Sequence, residues 1–336
     1  MDKLSVFLLG SRGIPAKHGA YEQFCAKFCE NNSDNYLKVY VQSNTKDEHA
    51  FSSNVEKIFS PEFKIIPGYQ IIYDIHGLVR YIRLSKKTDR AVMFGYTAAP
   101  FFWLATLFGR KLIVNTDGYE YKRAKWGRVA RVYLRFCERI VGLSPHDIIT
   151  DSTDIHEYFK GKYDKVGHVI AYGLDPLEEQ LSPEIEGKYY HSIMRLEPEN
   201  NFKMIINAFL QSECKANFYV IGPSTNEFEV YWKSLSSTQN KIGYECIYLG
   251  PIYDRIKLQN IRYFSHGYVH GHSVGGMNPV LIESLVFSQH RLVYLTPHNF
   301  EVTEENKAKY FIGEENLAKL FNLTSEADTN KTQSLD

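Results

Sequence analysis

The chain has 336 residues, with 39 Lys and Arg balancing 39 Asp and Glu. That length predicts two domains of roughly 100–200 residues each, and an apolar share of 44% can supply a core for both. Neutral charge without a readout motif argues against nucleic-acid binding, and no apolar run reaches the ~18 residues that a membrane-spanning helix needs.

Strand and helix patterns alternate along the chain. A short apolar run at residues 4–9 ends in Gly10, the mark of a buried parallel strand entering a turn. A glycine-bearing loop follows, Gly10-Ser11-Arg12-Gly13-Ile14-Pro15 and then Gly19. A helix is predicted from Ala20, carrying Tyr21, Phe24 and Phe28 on one face. Strands are predicted at 37–41, 91–94, 111–115 and 166–171, with helices at 72–85, 100–108 and 127–140. The apolar stretch 98–108 reads as a buried helix. Residues 173–187 hold Gly173, Pro176, Pro183 and several acids, and are expected to link a first domain (1–172) to a second (188–322). The second series predicts strands at 189–194, 217–221, 246–249, 267–270 and 291–295. Its helices are expected at 199–211, 227–236, 255–263 and 279–287. Residues 323–336, rich in small polar residues, are expected to be disordered. The whole reads as α/β, with two Rossmann-like domains facing across a cleft.

The charge is unevenly spread. Residues 1–175 hold 25 Lys and Arg against 19 Asp and Glu, and the remainder 14 against 20. A basic first half fits an anionic partner such as a phosphate, a pyrophosphate-lipid or a membrane surface, and equally fits an imbalance without function. The cysteines are Cys25, Cys29, Cys137, Cys214 and Cys246, odd in number and widely spaced. They read as reduced thiols of a cytosolic protein. No signal segment is expected before the strand at Leu4.

Four stretches carry the types of residue that chemistry needs. The Gly10–Gly13 loop follows a strand and precedes a helix, where backbone N–H groups can approach a phosphate. Its spacing is neither GxGxxG nor the Walker pattern, so a plain tight turn accounts for it as well. More specific is Gly271-His272-Ser273-Val274-Gly275-Gly276-Met277-Asn278-Pro279. It follows a predicted strand and opens a predicted helix, with Asn278 suited to the N-cap and Pro279 to the first turn. Glu283, one turn inside, is placed to bind a ribose.

Arg195, in Met194-Arg195-Leu196-Glu197-Pro198-Glu199-Asn200-Asn201, stands at a strand's carboxyl end. There it can neutralise a departing diphosphate or pair with Glu197 or Glu199 on the surface. Asp117 and Glu120, in the loop 115–126, can hold or deprotonate an acceptor hydroxyl, or be solvated acids of a turn. Lys122, Arg123, Lys125 and Trp126 lead into a helix with Arg128, Arg131, Arg135 and Arg139 beside an apolar stripe of Val129, Val132, Phe136 and Ile140. That pattern suits an anionic membrane or a lipid diphosphate, and also suits a core helix with a basic solvated edge. Asp-x-Asp and HExxH are both missing from the sequence, and His270 and His272 have no partner at ligand spacing, so no metal is expected.

Together these motifs resemble the bacterial family 4 retaining glycosyltransferases of GT-B fold, and within them the rhamnosyltransferase branch of cell-surface polysaccharide synthesis. The likeness rests on GSRGIPAKHGAYEQF (10–24), DGYEYKRAKWGR (117–128), RLEPENN (195–201), LGPIYD (249–254) and HGHSVGGMNPVLIES (270–284). It implies a retaining transfer of L-rhamnose from dTDP-rhamnose to a lipid-linked saccharide, peripherally on the inner face of the cell membrane. Gly10, Arg12, Gly13 and Arg195 would meet the donor diphosphate. His272, Ser273, Val274, Gly275, Gly276 and Asn278 would line the phosphates and sugar, Glu283 would hold the ribose, and Ile252 and Tyr253 would cover the base. Asp117 would stand at the sugar or acceptor, and no cofactor is implied.

The chain departs from the family pattern where Gly275 replaces the first acid of Glu-x7-Glu and Asn200 replaces a Lys, a loss that Lys203 could offset. It also has Gly19-Ala20-Tyr21-Glu22 where the branch has Gly-Gly-Phe-Glu. Two other readings keep the fold: a nucleotide-sugar epimerase, and a non-catalytic nucleotide-sugar-binding protein. An NAD-dependent oxidoreductase fits least, because the first loop lacks the fingerprint and no suitable acid follows it.

Overall fold

A computed structural model of the chain describes residues 3–14, 20–46, 52–63, 68–116, 118–123, 126–171, 173, 181–235, 240–241, 244–274, 277–288 and 290–326. The chain divides into two compact units, 1–171 and 172–336. The first unit contains β1 (Val6–Leu9), α1 (Ala20–Asn32), β2 (Val39–Ser43), β3 (Val55–Phe59), α2 (Tyr69–Leu84) and β4 (Arg90–Phe94). It continues with α3 (Trp103–Leu107), β5 (Lys111–Asn115), α4 (Arg128–Leu143), β6 (Asp147–Thr150), α5 (Thr153–Tyr163) and β7 (His168–Val169). Its seven strands lie in the order β3-β2-β1-β4-β5-β6-β7, all parallel.

Strand β1 shows why the run at its start is wholly apolar. Val6 and Leu8 point into one core with Cys25 and Cys29 of α1, while Phe7 and Leu9 point into another with Leu78 and Tyr81 of α2. A parallel strand covered on both faces has no solvent side to mark with polar residues.

The second unit contains β8 (Tyr189–Ile193), α6 (Phe202–Gln211), β9 (Asn217–Ile221), α7 (Asn226–Ser234), β10 (Asn240–Lys241), β11 (Tyr244–Gly250) and α8 (Arg255–Phe264). Then follow β12 (Gly267–His270), α9 (Pro279–Phe287), β13 (His290–Tyr294), α10 (Pro297–Lys307), β14 (Lys309–Phe311) and α11 (Glu314–Ser325). Its order is β10-β11-β9-β8-β12-β13-β14, parallel except for the β10–β11 edge pair. Helix starts are set by side-chain caps: Thr225 accepts from the Phe228 amide, Asp254 from Lys257 and Thr296 from Asn299.

Three expectations need correction. Residues 98–108 are not a buried helix: a single 3-10 turn leads into α3, and Trp103, Leu107 and Phe108 are exposed. Residues 181–187 are not a free linker. The Ser182 amide donates to Asn260 Oδ1, Asn260 Nδ2 donates to Glu184, and Ile185 packs against a core of the second unit. Helix α11 continues to Ser325, so the expected disordered segment cannot begin at 323. The remainder, 327–336, lies outside the described residues.

Candidate functional site

In an open parallel sheet, ligands bind beyond the carboxyl ends of the strands where the strand order reverses. Each unit has one such point, between β1 and β4 in the first and between β8 and β12 in the second.

In the second unit the loops after β8 and β12 are stitched together. The Ser273 amide and hydroxyl both donate to the Glu199 carbonyl, at 3.0 and 2.7 Å. His272 Nδ1 lies 2.8 Å from Asn200 Oδ1, and Asn201 Nδ2 donates to the Gly271 carbonyl at 2.8 Å. A side chain on Gly271 would stand 2.2 Å from the Asn200 carbonyl oxygen, so glycine permits this approach. Asn299, in the first turn of α10, adds a third element by donating to the His272 carbonyl.

Asn278 caps α9 by accepting from the Val280 amide at 3.0 Å, and Pro279 fills the first helical position. Asn200 is 5% exposed and donates to the Arg195 carbonyl, so the residue that stands where the sequence resemblance leads one to expect a Lys is a brace for the loop. Lys203, the possible replacement, pairs with Glu227 at 2.7 Å. Arg195 reaches Glu197 at 3.5 Å with half its side chain exposed, a loose pair that a dianion can outcompete.

Glu283 lies in a pair at 2.5 Å with Arg262 of α8. The carboxylate is about one-third exposed and the guanidinium almost buried, so Arg262 fixes the acid's position on the helix. Glu199 is 7% exposed, with its Oε1 lacking a hydrogen-bond partner. Burial lowers the pKa of His270 to about 3, so the ring that meets Tyr268 Oη at 2.7 Å is neutral. Ile252 packs on the core around Tyr189 and Ile261, and Tyr253 is exposed. Val274 is half-buried, while Gly275 and Gly276 lie outside the described residues.

At the β1/β4 point of the first unit, the expected phosphate loop is internally bonded. The Gly10 amide donates to Gln42 Oε1 and the Arg12 amide to Glu22 Oε1, each at 2.8 Å. Those two amides are therefore not presented to a ligand, a correction to the cradle expected from the glycines. Gly10 has φ +87° and Gly13 has φ +106°, and each packs too closely for a side chain, on Phe94 and Ser43 respectively. What the loop offers is the Arg12 guanidinium, held by Glu62 and Gln70. Gln70 donates in turn to Asp74 at 2.7 Å, and Thr97 donates to the other Asp74 oxygen at 2.6 Å. Burial pushes the Asp74 carboxyl up to about 7.

The loop after β5 is likewise cross-bonded. Glu120 accepts from Trp126 Nε1 at 3.0 Å and pairs with Arg123 at 2.8 Å. Lys122 Nζ stands 3.6 Å from the Tyr119 ring centroid. Arg128, Arg131 and Arg135 are exposed on α4. Asp117 and Lys125 lie outside the described residues.

Sequence reasoning missed Asp74, Gln70, Thr97, Arg262 and Asn299, and read Glu199 only as a surface partner. Asp74 had a signal, since it is a lone acid inside the apolar run Ile71-Ile72-Tyr73-Asp74-Ile75. Among the described residues no group of three or more His, Cys, Asp or Glu could hold a metal ion, and no helix is long and apolar enough to cross a membrane.

Solved structures share the fold. Sucrose-phosphate synthase from Thermosynechococcus elongatus matches with a TM-score of 0.76 at 12% identity, over 96% of this chain and 89% of that one. Anabaena Alr3699/HepE, in complex with UDP and glucose, matches with a TM-score of 0.71 at 13% identity, over 96% and 90%. WaaG, a glycosyltransferase involved in lipopolysaccharide biosynthesis, matches with a TM-score of 0.70 at 11% identity, over 96% and 90%. At these identities the likeness establishes the fold alone, the two-domain α/β fold of GT-B proteins. No curated protein sequence matches. A family model described as "Domain of unknown function (DUF1972)" matches residues 3–175, slightly more than half of the chain, and the chain therefore belongs to that family.

Proposed function

We propose that the protein is a glycosyltransferase that takes a sugar, with retention, from a nucleoside-diphosphate donor bound at the β8/β12 point of its second unit. The observation that carries this is the pair of stitched loops ending at a capped helix N-terminus, with Arg195 on one loop and Glu283 inside the helix. The first turn of α9 and Arg195 would meet the negative charge that develops on the leaving diphosphate. That role needs no metal. Glu283, steadied by Arg262, would accept from the ribose hydroxyls, and Ile252 and Tyr253 would cover the base. A donor-sugar hydroxyl would complete the unpartnered Glu199 oxygen. Support also comes from solved relatives of the fold, one of them in complex with UDP and glucose and another involved in lipopolysaccharide biosynthesis.

On the finer reading the donor is dTDP-rhamnose and the acceptor a lipid-linked saccharide. The chain would work peripherally at the inner face of the cell membrane. Arg12 on its Gln70–Asp74 brace, and the basic residues Lys122 to Arg135, would handle the acceptor's anionic groups, with Asp117 and Glu120 at the acceptor hydroxyl.

A thermal-shift comparison of dTDP, UDP, GDP, ADP and NAD tests this. One nucleoside diphosphate should raise Tm by mass action, with dTDP expected, and Arg195→Ala and Glu283→Gln should each reduce the rise. A rise with NAD alone, or none with any of the five, would overturn the reading.

A further inference from the structure

Helix α4 turns the wrong apolar residues outward for a core helix. Its inner side is Leu134, Cys137 and Val141, all buried. Val129, Val132, Phe136 and Leu143 are 55–85% exposed. Nearby, α3 leaves Trp103 and Leu107 at 59% and 67% exposure. Between the two helices opens a cavity of about 600 Å³, walled by Trp103, Leu107, Phe136, Ile140 and Leu143. A contiguous apolar surface of this kind marks an interaction site.

Its charge identifies the partner. Arg128, Arg131, Arg135 and Arg139 are all exposed on α4, and Arg139 lines the cavity. The one acid of the helix, Glu138, is 1% exposed and accepts from Tyr158, Tyr163 and Lys162 on the inner side. Asp147, an exposed acid just past the cavity wall at His146, has Lys165 beside it. Aromatic and aliphatic groups flanked by arginines, with no outward acid on the helix, match the two layers of an anionic lipid surface.

We propose that α3 and α4 form the seat of the chain on an anionic phospholipid bilayer. Trp103, Leu107, Phe136 and Leu143 enter the acyl region, hydrocarbon fills the cavity, and the four arginines meet headgroup phosphates. The inference rests on the peripheral placement proposed above and deepens it, because it adds α3 and the cavity beside it to the basic and apolar stripes of α4, and leaves out Trp126, which is tied to Glu120.

The test uses the full chain and vesicles of phosphatidylglycerol or phosphatidylcholine. Co-sedimentation should occur with phosphatidylglycerol and weaken with salt, because the phosphate contacts are screened. Lipids brominated in the acyl chain should quench tryptophan emission, and Trp103→Phe should remove that quenching while Trp126 and Trp232 remain. Arg131→Glu with Arg135→Glu should lower vesicle affinity roughly tenfold or more. Leu107→Gln with Leu143→Gln should lower it similarly while leaving nucleotide-induced stabilisation unchanged, which shows that the variant is folded.

Equal binding to both lipids, quenching that survives Trp103→Phe, or undiminished affinity in either double variant would overturn the proposal. So would a dimer through this face that vesicles do not disperse. Vesicle binding without any nucleotide shift would instead defeat the glycosyltransferase reading and leave this one standing.

Discussion

At the β1/β4 point of the first unit, Gln42 and Glu22 take the amides of Gly10 and Arg12. At the β8/β12 point of the second, the loops brace each other through Glu199, Asn200, His272 and Ser273, and an oxygen of the buried Glu199 is left without a partner. Two seven-stranded sheets, each with one reversal of strand order, thus carry two kinds of terminus. One is closed by the protein's own side chains and offers a braced arginine. The other is shaped but incomplete, and a buried polar atom without a partner costs about 1–3 kcal/mol until something supplies one.

The largest test of this comparison is backbone packing. A Cβ on Gly222, φ +144°, would lie 1.8 Å from the Met194 carbonyl oxygen at the end of β8. One on Gly10, φ +87°, would lie 2.5 Å from the Phe94 oxygen at the end of β4. Gly222→Ala should destabilise the second unit by about 3–5 kcal/mol and Gly10→Ala the first by about 2–4 kcal/mol. Thermal melts with proteolytic mapping would assign each loss to its unit, and a wild-type melt for either variant would show that the strand ends can part.

Buried charge gives the next contrast. Glu138→Ala leaves Tyr158, Tyr163 and Lys162 without their acceptor beneath α4, and should cost about 2–3 kcal/mol. Arg262→Met in the second unit leaves Glu283, which water can reach, and should cost only about 0.5–1.5 kcal/mol. Equal losses in urea titrations would mean that exposure does not set the difference.

The last contrast is in pH, and it has opposite signs in the two units. His191 is held neutral by burial, its pKa lowered to about 3 from 6.5. The unfolded chain binds a proton there that the folded chain refuses, so the stability it contributes is present above about pH 6.5 and lost as pH falls. Asp74 is raised from 3.8 to about 7. Its contribution is full below about pH 4 and lost as pH rises toward 7. His191→Gln should therefore flatten the acid side of the stability curve and Asp74→Asn the slope between pH 4 and 7. Each change is at most about one proton, or ~1.4 kcal/mol per pH unit. Unchanged slopes by denaturant titration would count against both assignments.

Much of this architecture was legible in the sequence because parallel strands announce themselves as apolar runs. The predicted strands 111–115, 217–221 and 267–270 coincide with β5, β9 and β12. Strand β3 was missed because only Ile58 of its five residues is buried, as befits a sheet edge. The Asn278 cap was readable because capping is local, whereas Gly10 finds Gln42 from 32 residues away. Apolar content alone could not separate a core helix from the open face of α3, since both are written in Trp, Leu and Phe. Nor could it tell that Glu199 is buried, because that depends on where the 271–274 loop comes down.

The position of β1 has a consequence for how the protein is made. This first strand is central, paired on one side with β2 and on the other with β4, whose residues 90–94 are synthesised some 85 residues later. At roughly 5–20 residues per second, the β4 side of Val6–Leu9 waits on the order of 4–17 s for its partner as the chain leaves the ribosome. During that interval an apolar strand edge stands open, which makes the newborn first unit a natural client for the chaperones that cover such edges.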